Sequence, residues 1–341
     1  MTTGTAHPLV SVCIANYDGE DLLPDCLDSI LAQDAGVATE ILVHDDASRD
    51  GSLDLLTRKY PQARVIRSPE NVGFCVANNR MAAAARGNYI LLLNNDAALM
   101  PDAIATLLAL SKRSPDTILT LPQYAWDDGN LINMGSRLDL FYNAVPVMQD
   151  AGAPLAMAEG ACLFLERSLW ERLGGFPEFF GSIAEDAYLC CAALLAGTRI
   201  VCAGNSGYRH RQGASFGGNR IQGRALVSRY RRRYLSERNR IALLASCTPT
   251  WLVWPWLGVH LLQLLAEGAL LCVSSRRLDP WHRIYSPALG SAWGHRQSTM
   301  RLRRTVQAHR RVGLVQYLKS FTFVPQRLRL LARHGMPRLG D

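Results

Sequence analysis

The chain has 341 residues, 48% hydrophobic and 19% charged, enough for one large domain or a domain with an appendage, in a globular protein that can also touch a membrane. The formal net charge of +8 is unevenly spread: residues 1–220 carry 16 Lys+Arg against 25 Asp+Glu, a balance of −9, and residues 221–341 carry 21 against 4, a balance of +17. Nine cysteines at irregular spacing, with no C-x-x-C pair, suggest neither a zinc ribbon nor a disulfide framework and favour buried thiols in a reducing cytosol.

The Arg-rich second part seeks a polyanion: anionic lipid, nucleic acid or an acidic partner. Residues 1–8 are short and polar, with no basic stretch leading into an apolar core, so no secretory signal is expected.

In chain order, 10–15 reads as a first buried strand running into the turn Asn16-Tyr17-Asp18-Gly19. Leu22, Leu23, Leu27, Ile30 and Leu31 recur at helical spacing, which predicts an amphipathic helix over about 21–34. Residues 40–44 form a second buried strand that ends in Asp45-Asp46-Ala47-Ser48, and Ser52 can cap the helix that follows. A short strand at 64–67, the loop Asn71-Val72-Gly73-Phe74 and an Ala-rich helix at 76–85 come next. Residues 89–93, Tyr-Ile-Leu-Leu-Leu, then read as a strand buried on both faces, stopping at Asn94-Asn95-Asp96. Strand and helix thus alternate four times in about 100 residues, which argues a parallel sheet built from βαβ units.

In such a sheet the carboxyl ends share one rim, where open α/β sheets bind ligands. Asp45, Asp46 and Asp96 therefore fall on the same rim. Asn94-Asn95-Asp96 suits a hard divalent cation with a nucleotide diphosphate, or else is an Asx-rich turn that only ends the strand. No G-x-G-x-x-G follows the first strand and no G-x-x-x-x-G-K-[ST] occurs, which disfavours a dinucleotide fold and a P-loop.

Beyond Pro101 the pattern is a helix to 111, a strand at 118–121, loops or short hairpins over 122–155, a buried strand at 161–166 and a short helix closed by Gly174-Gly175. An aromatic loop, Phe176-Pro177-Glu178-Phe179-Phe180, precedes a helix at 187–196 that opens on Glu185-Asp186. Carboxylates in a first helical turn are favoured by the dipole, which by itself explains that pair. A last strand at 197–203 leads to Tyr208-Arg209-His210.

The ordered set Ser11-Val12-Cys13-Ile14-Ala15-Asn16-Tyr17, Asp45-Asp46-Ala47-Ser48, Asn71-Val72-Gly73-Phe74, Asn94-Asn95-Asp96, Gly160-Ala161-Cys162, Gly174-Gly175-Phe176-Pro177, Glu185-Asp186 and His210-x-x-Gly213-x-Ser215 resembles the family 2 glycosyltransferases, especially their rhamnosyltransferase-like branch. The likeness covers about 10–215. It implies a GT-A fold, an α/β architecture with a mixed, largely parallel sheet flanked by helices, and inverting transfer from a nucleoside-diphosphate sugar to a hydroxyl. It implies a nucleotide-sugar site formed by Ala15, Tyr17, Asp45, Asp46, Asn71, Gly73, Asn94 and Asn95, with Asp46 reading the nucleobase. By the same resemblance Asp96 and His210 hold a divalent metal, Mg²⁺ or Mn²⁺. Asp186 is the general base, and Gly160, Phe179 and Glu185 line the acceptor side. Two departures stand out: Asn94 replaces the first acid of the family's Asp-x-Asp, and Tyr188 stands where a further acid is usual.

Residues 230–240 read as a basic helix and 241–273 as a very apolar stretch interrupted by Pro249 and Pro255. Trp256 to Glu267 falls short of the roughly 20 apolar residues of a clean span, so an interfacial helical hairpin is expected, or an ordinary helical subdomain or dimer interface. Residues 296–338 hold no acid and read as a basic amphipathic, membrane-surface helix. With no recognition module present, nucleic acid is not expected as a partner. The resulting division is a catalytic part at 1–220, with a nucleotide half at 1–100 and an acceptor half at 101–220, followed by a helical membrane-associating region at 221–341. The protein is expected at the cytoplasmic face of the cell membrane, peripheral or monotopic, acting on a glycan or lipid-linked acceptor. Its donor is first dTDP-rhamnose by branch resemblance, then a UDP-hexose. A homo-oligomer stays open. The rivals are a sugar-nucleotidyl transferase and a catalytically weakened membrane scaffold.

Overall fold

A computed structural model describes residues 8–33, 36–149, 154–213, 220–222 and 225–340. Ser215, part of the predicted His-x-x-Gly-x-Ser motif, and residues 1–7 lie outside them. The first half alternates β1 (Val10–Asn16), α1 (Leu23–Leu31), β2 (Thr39–Asp45), α2 (Ser52–Lys59), β3 (Ala63–Arg67), α3 (Phe74–Ala84) and β4 (Tyr89–Leu93). It continues with β5 (Ala97–Leu99), α4 (Ala103–Arg113), β6 (Thr117–Thr120) and four short strands, β7 (Gln123–Ala125), β8 (Leu131–Asn133), β9 (Ser136–Asp139) and β10 (Ala144–Pro146). Then come β11 (Cys162–Glu166), α5 (Arg167–Leu173), α6 (Glu185–Leu195), β12 (Arg199–Cys202) and β13 (Tyr208–His210).

The main sheet has seven strands in the order β12-β6-β11-β4-β1-β2-β3. β1 pairs in parallel with β2 and β4, and β2 with β3, so the carboxyl ends of this half do share one rim. β11 runs antiparallel to both β4 and β6. That reversal brings the amino end of β11 to the rim, with Cys162 opposite Leu93.

Side-chain alternation builds a core on each face. Val10, Val12, Ile14, Leu91 and Leu93 pack on one side with Leu23, Leu27, Ile104 and Leu107 of α1 and α4. Cys13, Leu42, Ile90 and Leu92 face the other side, against α3, α5 and α6. This second core also takes in Leu243, Leu244, Cys247, Val306, Tyr317 and Phe321, so the basic C-terminal part packs directly onto the acidic one. None of the nine cysteines is in a disulfide, and seven are buried.

The C-terminal region starts with β14 (Arg220–Gln222), β15 (Ala225–Arg229) and α7 (Tyr230–Cys247). α8 (Val253–Ser275) is one continuous helix of 23 residues. The interruption expected at Pro255 is absent from it. Pro255 sits in the first turn, where no intrahelical N–H is lost. Glu267 does not end the helix because it faces inward to Arg233 and Arg327. The single basic helix expected over 296–338 is instead α10 (Arg296–Ala308), α11 (Leu314–Leu318) and α12 (Gln326–His334), after α9 (Ser286–Gly294). β16 (Phe321–Thr322) pairs with β9, and β17 (Arg338–Gly340) with β15.

Candidate active site

Three buried side chains form the floor of the rim. Asn16, at the end of β1, donates to Asp45 Oδ2 (3.2 Å) at the end of β2. Asn95 donates to Asn16 Oδ1 (2.9 Å), and Asp45 Oδ1 accepts from the Ser48 amide (3.2 Å). Asp45 and Asn95, both expected at the nucleotide, are thus tied into a network that joins three loops. Gly19 closes over it: a Cβ there would stand 2.2 Å from Asn16 Oδ1 and 2.4 Å from Asn95 Nδ2, so only glycine permits the approach.

Asp46 is buried and accepts from the backbone amides of Val72 (2.8 Å) and Gly73 (2.9 Å). It thereby fixes the Asn71–Gly73 loop across from β2. Gly73 has φ +88°, and a Cβ on it would meet the Gly181 carbonyl at 3.3 Å. Tyr17 is 43% exposed at the rim, Asn71 is exposed, and Ala15 is half-buried beneath them.

The strand end after β4 meets His210 by a separate route. β13 pairs antiparallel with β5 so that His210 stands opposite Ala97. His210 Nε2 lies 3.0 Å from Asp96 Oδ1, and Asp96 is buried. Asn94 Nδ2 is 3.4 Å from the same ring nitrogen. Gln123, which the sequence reading missed, touches His210 Nδ1 through its amide nitrogen (3.1 Å), while its oxygen accepts from Asn133 (3.1 Å) and the Tyr208 hydroxyl (3.0 Å). In this orientation the Gln123 NH₂ donates to Nδ1, and the neutral imidazole carries its proton on Nε2, toward Asp96.

Among the described residues no group of three or more His, Cys, Asp or Glu side chains forms a metal cage. The Asp96–His210 pair fits a cation in the other tautomer, with the imidazole proton on Nδ1 and the Gln123 amide turned to accept it. Two adjacent ligands of an octahedral ion at about 2.1 Å stand about 3 Å apart, which is the spacing seen between Oδ1 and Nε2. With only two protein ligands, such an ion must take its remaining ligands from a diphosphate and water.

The second half of the site is a carboxylate cluster. Asp186 is the second residue of α6. Its Oδ2 accepts from the Gly160 amide (3.0 Å) and its Oδ1 from Ala187 N–H (2.7 Å). The next carbonyl, that of Ala161, accepts from the Asn94 amide (3.1 Å). Two consecutive residues therefore bind Asp186 on one side and the metal corner on the other. Glu185 is buried, with Oε2 lacking any hydrogen-bond partner in the structure. Glu159, not foreseen, accepts from the Ser136 hydroxyl (2.7 Å).

Burial, with the charge of Asp186 beside it, pushes Glu185 up to about 8 and Glu159 up to about 7. Asp186 is itself raised by burial, against the amides of Gly160 and Ala187 that favour its charge. At Asp186 loss of solvent outweighs the first-turn field of the helix. The Arg232 guanidinium, at the start of α7, faces Glu185 and Asp186, and burial lowers its pKa. Tyr188 is buried with its ring edge-on to Phe180 (5.9 Å between centroids), so it fills core where a carboxylate was absent. Phe179 stacks on His295 (5.1 Å), the residue just before α10.

Gln123, Glu159, Arg232, Arg238 and Asn239 were not singled out from the sequence. Each acts on a residue distant in the chain, and no local spacing signals that.

Residues 11–173 match the family model of glycosyl transferase family 2. The succinoglycan biosynthesis protein ExoO of Rhizobium meliloti is 33% identical over 216 residues, 59% of this chain and 60% of that protein. The chondroitin synthase of Pasteurella multocida is 30% identical over 176 residues, 50% of this chain and 17% of that protein. The chain thus spans less than two thirds of the length of these curated relatives, 60% of ExoO and 17% of the chondroitin synthase. Among solved structures, GalNAc-T7 with UDP, GalNAc and Mn²⁺ superposes with a TM-score of 0.63 at 11% identity, covering 97% of this chain and 59% of that one. The mannosyltransferase PcManGT of Pyrobaculum calidifontis with GDP-Man and Mn²⁺ gives 0.53 at 19% identity, covering 92% and 86%. Residues 11–173 are thus similar to glycosyl transferase family 2, and the fold is of the GT-A type.

Proposed function

We propose that this protein transfers a sugar from a nucleoside-diphosphate sugar to an acceptor hydroxyl with inversion at the anomeric carbon. The observation that carries the reading is the Gly160–Ala161 bridge, which sets a carboxylate at a helix start beside the end of β4, where Asp96 meets His210 of β13. Neighbours of the same fold were crystallised with UDP, GDP-Man and Mn²⁺, which favours a nucleotide on the β1–β4 rim.

Asp186 is the base. It takes the proton from the acceptor hydroxyl as that oxygen attacks the anomeric carbon from the face opposite the diphosphate. The bond to the diphosphate breaks in the same displacement, through an oxocarbenium-like state. Asp96 and His210 would hold a divalent cation, which when bound neutralises the charge that develops on the leaving diphosphate. Asp46 keeps the Asn71–Gly73 loop closed over the base pocket, and Tyr17 and Ala15 border it. Gly160, Phe179 and Glu185 lie toward the acceptor. The first choice of donor is dTDP-rhamnose and the second a UDP-hexose, and a lipid-linked glycan is the acceptor. Asn94 and Tyr188 keep one second reading open, a weakened scaffold that binds nucleotide and does not turn it over.

The C-terminal region, residues 221–341, is the membrane-associating part, acting from the cytoplasmic side. α8 is amphipathic in reverse: His260, Gln263 and Glu267 turn inward, while Trp254, Val259, Leu262, Leu265, Leu270 and Val273 are exposed. Exposed Trp251 and Trp293 and the nearby Arg276, Arg277 and Arg296 suit a lipid–water interface with anionic headgroups. α8 is long and apolar enough to cross a bilayer, yet its inward polar face rests on α7, which favours lying on the surface.

The test is nucleoside-diphosphate release by the full chain with dTDP-rhamnose, UDP-glucose and UDP-N-acetylglucosamine, each with Mn²⁺ or with EDTA. Metal-dependent turnover with one donor is expected. Binding of every donor without turnover supports the scaffold reading.

A further inference from the structure

We propose that Arg238 and Asn239, in the middle of α7, are positioning residues that hold the turn before α6 and thereby aim Asp186. The inference rests on the reading of Asp186 as the base. Between the one-turn helix Glu178–Phe180 and the start of α6, the chain passes through Gly181 (φ +66°), Ile183 (φ +74°) and Ala184 (φ +69°). A β-branched residue in the left-handed region is an outlier, and such a conformation persists only where its surroundings fix it.

The surroundings are supplied almost wholly by two side chains. Arg238 donates to the carbonyls of Phe179 (2.9 Å) and Phe180 (2.6 Å). Asn239 is fully buried and directs its amide nitrogen at the carbonyls of Phe180 (3.0 Å), Ser182 (2.8 Å) and Ile183 (2.7 Å). Arg238 Nε donates to Asn239 Oδ1 (2.8 Å), so the pair is locked to itself as well. The carbonyl between them, Gly181, accepts from Cys75 N–H (3.0 Å) at the start of α3, and that of Ala184 from Tyr188 N–H (3.0 Å) inside α6. Every carbonyl from Phe179 to Ala184 is thus held, four of them by Arg238 and Asn239.

Two consequences follow for the site. The turn leads directly into Glu185 and Asp186, so any relaxation of the left-handed residues rotates the first turn of α6 and moves the Asp186 carboxylate away from Gly160. The same turn touches Gly73 and Cys75, next to the loop that Asp46 holds. α7 therefore sets the base relative to the nucleotide side of the rim. Arg232, one heptad before Asn239, faces the two carboxylates from the same helix.

The experiment uses the full chain and four variants: Asn239→Ala, Asn239→Asp, Arg238→Lys and Asn239→Ala combined with Ile183→Gly. Turnover and donor KM are measured alongside amide hydrogen exchange. Asn239→Ala is expected to lower kcat by about 100-fold, as a misplacement of about 1 Å does, with donor KM little changed and faster exchange confined to 178–188. Asn239→Asp, which has the shape but no N–H to donate, is expected to match Asn239→Ala. Adding Ile183→Gly is expected to recover part of kcat, because glycine occupies the left-handed region without strain. A folded Asn239→Ala protein with wild-type kcat and wild-type exchange over 178–188 overturns the proposal. If Asn239→Ala does not fold, Arg238→Lys decides: it keeps the charge and loses the two-carbonyl fork, and a wild-type kcat there overturns the proposal. If the wild type transfers no sugar, the catalytic reading fails while exchange over 178–188 still tests the clamp.

Discussion

Glu185 illustrates how burial sets both chemistry and stability at single residues. Its carboxyl is buried, has an unpartnered oxygen and is raised from its ordinary value to about 8. The folded protein therefore holds a proton that the unfolded chain releases near pH 4.5, so the stability from this group is full at low pH and is lost as pH rises through about 8. Glu185→Gln is expected to raise the stability by on the order of 1 kcal/mol at pH 8.5 and to leave it unchanged near pH 4. Tm measured across that range checks the sign. Transfer runs the other way: with Asp186, Glu185 and Glu159 all raised, kcat/KM is expected to climb as pH rises toward 8. Gln123 offers a second residue-scale test. Gln123→Glu would place an acceptor at His210 Nδ1, move the imidazole proton there and leave Nε2 as a lone pair for a cation. Mn²⁺ affinity, read by titration calorimetry with UDP present, is expected to tighten about 10-fold; weaker binding would contradict the assigned tautomer.

Among the elements, the alternating half was legible because its signals are local. Buried runs at β1, β2 and β4, with helical periodicity between them, needed no tertiary information. The rim residues Asp45, Asp46 and Asp96 followed from the parallel order, and His210 from the resemblance. The antiparallel insertion of β11, the four-stranded β5-β13-β7-β8 sheet that delivers His210, and the three-helix breakup of the basic tail did not follow, because each depends on pairing across long separations. The continuous α8 was hidden for a related reason. Glu267 cuts the apolar run short of a span, yet it pairs with Arg233 and Arg327, and Glu237 of α7 pairs with Arg233 (2.8 Å), Arg240 (3.0 Å) and Arg327 (2.5 Å). Glu237 is fully buried, so Glu237→Ala removes one of the two carboxylates that face Arg233 and Arg327, and the one that pairs with Arg240. A loss of about 3–5 kcal/mol is expected in urea unfolding. A loss under about 1 kcal/mol would mean that the network does not join α7, α8 and α12.

At the scale of the whole molecule, the acidic and basic parts share one core, so the candidate rim and an Arg-rich, tryptophan-bearing surface belong to one packed unit. This arrangement suits an enzyme whose acceptor is presented at a lipid surface. Vesicles of phosphatidylglycerol are expected to bind the protein, and Trp251→Ser with Trp254→Ser to weaken that binding by about 10-fold or more, since both side chains are exposed and hold nothing inside. Equal binding to neutral vesicles would assign the surface to apolar contact alone, and no binding to either would remove the membrane from the account.

The central claim is that Asp186 acts as base beside a nucleotide held at the Asp96–His210 corner. The most direct measurement is sugar transfer and nucleotide affinity in Asp186→Asn, made with Mn²⁺ and the donor that the wild type uses. The expected result is nucleotide affinity close to wild type with transfer reduced by about 10³-fold. Transfer by Asp186→Asn at the wild-type rate would contradict the account.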